Sequence, residues 1–221
     1  MIKAIFWDFD GVIADSVNVK TDAFYELYLP YGKEVAEKVK EYHLANGGVS
    51  RFKKFEYWET ELLGKPAPVP QSVIDDLASR FSSLVMEKVI KAPYIKGAYD
   101  TVVKYSKLVN NFIISGTPTG EMKDIIEGRG LSPYFKDVLG SPENKDNLTK
   151  NLLAVEGLQP EEVIFIGDAL SDFHAAERNK TWFILRRHED NGELFKDYRS
   201  FAMNDFTVFD EIFNLINNKN E

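Results

Sequence analysis

The chain has 221 residues with 27 Lys and Arg against 35 Asp and Glu, a net charge of −8. That acidity argues against a nucleic-acid or anionic-membrane surface as a partner, and the length suits one large α/β domain or a core with a smaller insert. Cysteine is absent, which removes both a disulfide framework and a thiol nucleophile. No apolar run approaches the ~18 residues of a membrane span, and no basic leader precedes Ile2, so a soluble, cytoplasmic protein is expected.

The first predicted element is an apolar strand from Ile2 to Trp7, which ends on Asp8-Phe9-Asp10-Gly11. A short apolar run bounded by charge reads as a buried strand of a parallel sheet, and ligands of open α/β sheets sit outside the carboxyl ends of such strands. Two carboxylates delivered there repel each other, and a hard cation such as Mg²⁺ relieves that repulsion. Taken alone, the same Asp-Gly pair also fits an ordinary turn.

From Val17 to about Ile90 the period becomes helical. Ala23, Phe24, Leu27 and Tyr28 recur at three- and four-residue steps, as do Phe52, Phe55, Trp58 and Leu62, and then Val73, Leu77, Phe81, Leu84 and Val85. Gly47-Gly48 and the Pro-rich stretch Gly64 to Pro70 break these helices. Tyr57 and Trp58 read as packing residues.

Beyond Pro93 and Gly97, strands and helices alternate. Strands are expected at Asn111–Ser115, Val138–Leu139, Val163–Ile166 and Trp182–Leu185, with helices at Thr119–Glu127, Asn147–Glu156 and Ser171–Arg178. Such alternation predicts βαβ units and a parallel sheet. The expected architecture is a Rossmann-like doubly wound core of residues 1–15 and 94–221, with an all-helical insert at 16–93. The Asn-rich tail beyond Asn214 is expected to fray.

Each core strand ends in polar residues. Ser115-Gly116-Thr117-Pro118 offers a hydroxyl and free backbone N–H groups to an anion, or simply a helix cap. Lys145 follows the third strand in a loop, where most lysines are only solvated. Gly167-Asp168-Ala169-Leu170-Ser171-Asp172 brings two more acids to a helix start, where they also suit capping. Single signals of this kind are weak; four in order, each at the end of a predicted parallel strand, reinforce one another.

In this order the four segments resemble the haloacid dehalogenase superfamily of phosphohydrolases, over nearly the whole chain. The resemblance implies a Rossmann-like core with a cap inserted after the first motif. Asp8 would be the nucleophile and Asp10 the general acid/base, with Ser115, Gly116 and Thr117 on the phosphoryl oxygens and Lys145 beside Asp8. It further implies Mg²⁺ held by Asp8, the Asp10 main-chain carbonyl and Asp168, with Asp172 orienting a ligand. An acid two residues after the nucleophile favours phosphate-ester chemistry over dehalogenation or phosphonate cleavage.

The implied function is hydrolysis of a small soluble phosphomonoester, a sugar phosphate or a phosphoglycolate-like acid, through an aspartyl-phosphate. The alternative is a phosphosugar mutase of the β-phosphoglucomutase type, and a non-catalytic binding protein would have no use for Asp10. Gly48-Val49-Ser50-Arg51 resembles the mutase cap loop, in which the arginine grips the distal phosphate. Arg51 and Lys20 are therefore read as cap-side cations for the substrate's non-reacting end. Two departures weigh against a mutase: Lys20 stands where mutases carry a histidine, twelve residues after the nucleophile, and Gly167-Asp168 replaces their Glu-Asp. Asn179-Lys180 stands where relatives often have Ala-Gly and is expected to alter only a turn. His43, His174 and His188 show no ligand spacing and read as structural or exposed, and Arg186-Arg187 as a solvated strand end. The expected partner is a phosphorylated metabolite, and the expected state a monomer or weak homodimer.

Overall fold

In the computed structural model, which describes residues 1–219, the first strand, β1 (Ala4–Trp7), is buried at every position. Its neighbours are β2 (Asn110–Pro118) and β4 (Val163–Gly167), both parallel to it. With β3 (Asp137–Ser141), β5 (Trp182–Arg186) and the two-residue β6 (Ala202–Met203), the sheet has the order β3-β2-β1-β4-β5-β6. That order reverses beside β1. The crevice at the carboxyl ends of β1 and β4 is therefore the switch point where ligands of doubly wound sheets bind.

Residues alternate along β1, so the two faces pack against different helices. Ile5 and Trp7 join Ile113, Ile164 and Ile184 on one face, under α5 (Ala98–Tyr105), α6 (Thr119–Gly128) and α9 (Phe209–Asn218). Ala4 and Phe6 join Phe112, Phe165 and Leu185 on the other, under α7 (Lys145–Glu156) and α8 (Leu170–Asn179). The expected Rossmann-like α/β fold with a helical insertion is what the chain forms. Helix α5, strand β6 and helix α9 add to the elements read from the sequence.

As far as Lys219 the tail departs from its expectation; Asn220 and Glu221 lie outside the described residues. Helix α9 runs to Asn218, Ile216 is fully buried, and Asn217 Oδ1 accepts from the Ile2 N–H at 2.8 Å. Phe209, Ile212 and Ile216 recur at helical steps and join the core, Phe209 against Trp7 and Tyr105, so burial outweighs the poor helix propensity of Asn.

Between β1 and α5 lie four helices: α1 (Val17–Tyr28), α2 (Lys33–Ala45), α3 (Arg51–Tyr57), continued by a π-type turn at Trp58–Leu62, and α4 (Gln71–Lys91). Phe24 sits at their centre, stacked on Phe81 with ring centroids 4.0 Å apart and edge-on to Trp58 at 5.0 Å. Trp58 is fully buried while Tyr57 stacks on Tyr42 nearer the surface. The chain leaves the sheet and returns to it side by side: the Asp15 N–H donates to Pro93 O and the Ile95 N–H to Ile13 O.

Candidate active site

Asp8 extends β1 by one residue, its N–H donating to Ile166 O at 2.9 Å. The chain then turns sharply, with the Ile13 and Ala14 N–H groups both donating to Phe9 O. Gly11 makes the turn possible. Its φ is +78°, and a Cβ there would lie 2.1 Å from Asp168 Oδ2.

Lys145 opens α7, whose first turn is capped by Asn144, the side chain of which accepts from the Asn147 N–H. Its Nζ lies 2.8 Å from Asp8 Oδ1 and 2.6 Å from Asp172 Oδ1. Asp172 also accepts from the Ala169 N–H at 3.1 Å, which caps α8 and holds its carboxylate inward. Carboxylate oxygens of Asp8, Asp168 and Asp172 lie within 4.8 Å of one another, all buried. Burial, then Asp172, pushes the Asp8 carboxyl up to about 7 against the pull of Lys145. Burial likewise raises Asp168 and Asp172, opposed by His188 and Lys145 respectively. For Lys145 burial works to lower the pKa, but Asp172 and Asp8 outweigh it, so the ammonium form is held firmly.

Three buried carboxylates and one ammonium leave an excess of negative charge in a place poor in water. The donors are all oxygen, and a compact hard cation fits them better than a metal that seeks nitrogen or sulfur. Asp8, Asp168 and Asp172 are thus the side chains that would hold Mg²⁺. The Asp10 side chain is not one of them. It accepts from Ser16 Oγ at 2.6 Å and from Lys20 Nζ, and Thr117 Oγ1 lies 3.4 Å away. Burial works to raise Asp10, yet Lys20 and Ser16 outweigh it and hold the carboxyl below its usual range.

Ser115 is buried at the end of β2, its Oγ accepting from the Thr117 N–H at 3.1 Å. Gly116 lies directly under the cap: a Cβ there would be 2.4 Å from Gly48 O. On the other side of the loop, Ser171 Oγ donates to Gly47 O at 3.1 Å. The cap loop is therefore seated on the core and closes a cavity of about 90 Å³ lined by Asp8, Asp10, Gly116, Thr117 and Asp168 together with cap residues.

The two cap cations do not stand free. Lys20 bridges Asp10 and Thr117 Oγ1, the latter at 2.7 Å. Arg51, read from the sequence as a grip for a distal phosphate, is buried and spends its guanidinium on both oxygens of Glu121 in α6, at 2.9 and 2.7 Å, and on Ser82 Oγ. Both line the cavity, but each is neutralised by a core carboxylate.

Two of the three histidines read as structural or exposed lie at the cavity. His188 Nε2 lies 3.1 Å from Asp168 Oδ2, and Asn191 Nδ2 donates to the Asp168 carbonyl at 2.8 Å, so the segment after β5 braces this acid from behind. His43 is buried at the cavity wall against Lys54. Arg186 and Arg187 do not line the cavity; Arg187 donates to the carbonyls of Phe195 and Tyr198. The one sequence signal for His188 and Asn191 is their position just after a strand that ends at the catalytic edge.

A doubly wound sheet that places a lysine-paired aspartate and a second acid at its switch point, under a helical lid, defines a class of hydrolases. The chain belongs to the haloacid dehalogenase-like hydrolase family, whose model matches residues 5–185. Phosphoglycolate phosphatase from Salmonella typhimurium is 24% identical over 203 residues, covering 80% of this chain and 77% of that protein. Among solved structures, β-phosphoglucomutase from Clostridium difficile superposes with a TM-score of 0.78 at 17% identity, covering 99% of each chain. A mutant of CbbY from Rhodobacter sphaeroides, in complex with xylulose-(1,5)bisphosphate, has a TM-score of 0.70 at 17% identity and covers 93% of this chain and 95% of its own.

Proposed function

We propose that the protein is a Mg²⁺-dependent phosphatase that hydrolyses a small phosphomonoester through an aspartyl-phosphate on Asp8. The observation that carries this reading is the pairing of Asp8 with Lys145 beside a second, separately held acid, Asp10. An Asp8 oxygen bonds to phosphorus as the ester P–O bond breaks, and Asp10 passes a proton to the departing alkoxide. A water then gives a proton to the Asp10 carboxylate and attacks phosphorus, freeing Asp8 and inorganic phosphate. Lys145 keeps positive charge beside the nucleophile throughout, and Ser115 Oγ with the Gly116 N–H would donate to phosphoryl oxygens, joined by the Thr117 N–H once it leaves Ser115 Oγ. A bound Mg²⁺ would neutralise charge between the carboxylates and the phosphoryl group. Residues 16–93 would act as a lid on the core of 1–15 and 94–221, with Lys20 joining the two across Asp10 and Thr117.

The kinship with mutases makes return of the phosphoryl group to a substrate the rival outcome. Lys20, standing where mutases carry a histidine, favours hydrolysis, and it must release Asp10 for that acid to carry a proton to the alkoxide. Asp8→Asn should abolish turnover in a folded protein, and Asp10→Asn should cut it by roughly 10²–10⁴. Substantial phosphate release from the Asp8→Asn variant would overturn the covalent route, and turnover that requires an added bisphosphate would favour the mutase.

A further inference from the structure

Four cations approach the cavity or its floor, and three are matched to acids: Lys145 to Asp8 and Asp172, Lys20 to Asp10, and Arg51 to Glu121. The fourth is Lys54, on α3. It is only 1% exposed, yet among the described residues no carboxylate lies within ion-pair distance of it. Its Nζ makes one hydrogen bond, to His43 Nδ1 on α2 at 2.7 Å, and both side chains line the same cavity as Asp8. The Phe24 ring of α1 packs near the ammonium, 5.8 Å from Nζ to its centroid.

An ammonium has three donors, and burying it without a carboxylate is costly. Packing gives no reason for this lysine, since a methionine would fill the space beside Phe24 without that cost. Retention of a lone cation in a cavity whose other cations are spent therefore points to a ligand that completes it. His43 strengthens the argument. Burial, then Lys54 and Lys20, holds its imidazole neutral, so Nδ1 accepts from Lys54 and the proton sits on Nε2. The pair thus brings no negative charge to the cavity.

We propose that Lys54, backed by His43, receives a second anionic group on the substrate's non-reacting end, a carboxylate or a further phosphate. This rests on the reading of the site as a phosphatase and narrows it to phosphomonoesters with two anionic ends, because Lys54 is, among the described residues, the one cation of this cavity without a carboxylate partner. The assignment moves the recognition role from Arg51, which the core already holds, to a residue that no sequence motif marks. Burial, followed by Lys20 and Lys145, pushes Lys54 down to about 7. The groups that face it are His43 on α2, Lys20 on α1 and Lys145 on α7, with Arg51 on its own helix and Asp8 and Asp10 across the cavity. An anion bound beside it would favour its charged form. Binding therefore takes up a proton above that pH, and KM for a doubly anionic substrate should climb as pH rises through about 7 and beyond.

The test compares three esters that differ only at the far end: phosphoglycolate, ethanediol bisphosphate and hydroxyethyl phosphate. Wild-type protein should prefer one of the two anionic-ended esters over hydroxyethyl phosphate, and which one it prefers tells carboxylate from phosphate. Lys54→Met, with Lys54→Gln as a second variant of similar reach, should reduce that preference roughly ten- to a hundredfold, mainly through KM. Equal losses on all three esters, or a preference that survives both substitutions, would overturn the assignment. Calorimetry with phosphonopropionate, which lacks a cleavable ester, separates the two readings. If no ester is turned over but the variants bind this probe more weakly, the phosphatase reading falls and Lys54 keeps its role. If the variants bind it as wild type does, the role of Lys54 falls.

Discussion

At Lys54 the fold buries an ammonium against a histidine nitrogen, and this leaves a signature in stability as well as in binding. With a folded pKa near 7 and an ordinary value of 10.5, the unfolded chain binds more protons between those two values. Stability therefore rises with pH across that window: the penalty is full below about 7 and gone above about 10.5. Lys54→Met should be the more stable protein at about pH 6.5, by on the order of a few kcal/mol. Its advantage should shrink steadily toward about pH 10. Urea denaturation at a series of pH values measures this, and a difference independent of pH would show that the lysine is not a buried charge in the folded state. Lys145 shows the opposite arrangement with the same side chain, because two carboxylates at 2.6 and 2.8 Å more than offset its burial.

Two turns carry consequences at the scale of elements. Helix α8 ends at Lys180, the one non-glycine residue at positive φ (60°) among the described residues. Holding an L side chain there costs about 1 kcal/mol or more, part of which a glycine gives back as chain entropy in the unfolded state. Lys180→Gly should thus stabilise by roughly 0.5–1 kcal/mol, a rise in Tm of about 1–4 °C for a chain of this size. Thermal unfolding checks it, and activity should hold. Its neighbour Asn179 ties α8 to α7 by donating to the carbonyl and Oδ1 of Asp146. The second turn lies where the cap loop meets β2. In Gly116→Ala the new methyl would meet Gly48 O at 2.4 Å, so the loop must lift from its seat. Catalytic efficiency should drop at least tenfold with little change in Tm, as expected when closure rather than folding is disturbed.

Across the whole molecule, insert and core are joined by a few specific contacts around the cavity. Arg51 reaches Glu121 and Ser82, and Arg129 donates to the carbonyls of Val89, Ile90 and Ala92 where α4 returns to the core. A bidentate, mostly buried pair such as Arg51–Glu121 is worth more than an exposed one, and its loss strands a charge. Arg51→Ala and Glu121→Ala should therefore lower turnover of p-nitrophenyl phosphate and of phosphoglycolate by similar factors. The double variant should be no worse than the poorer single one, a coupling on the order of 1–3 kcal/mol. Loss confined to phosphoglycolate would return the recognition role to Arg51. Chelation should also silence the protein and Mg²⁺ restore it, since Asp8, Asp168 and Asp172 converge without a cation of their own beyond Lys145.

The sequence by itself determined the sheet, the insertion and the catalytic edge. Apolar strands alternating with 3.6-period helices imply a doubly wound sheet, with Asp8, Asp10, Lys145, Asp168 and Asp172 after the ends of such strands and Ser115 closing another predicted one. Local periodicity and strand position suffice there, because in parallel sheets the carboxyl ends share one edge. Only the tertiary structure decided what each cation faces. Lys20 meets Asp10 across 10 residues, but Arg51 meets Glu121 across 70 and His188 meets Asp168 across 20. No spacing rule links such pairs. Pairing also decides charge: the same residue type is a firmly held ammonium at 145 and a weakly held one at 54. The order of the final helix was hidden for a related reason: Asn-rich propensity is local, whereas the burial of Ile216 that overrides it comes from packing against the sheet.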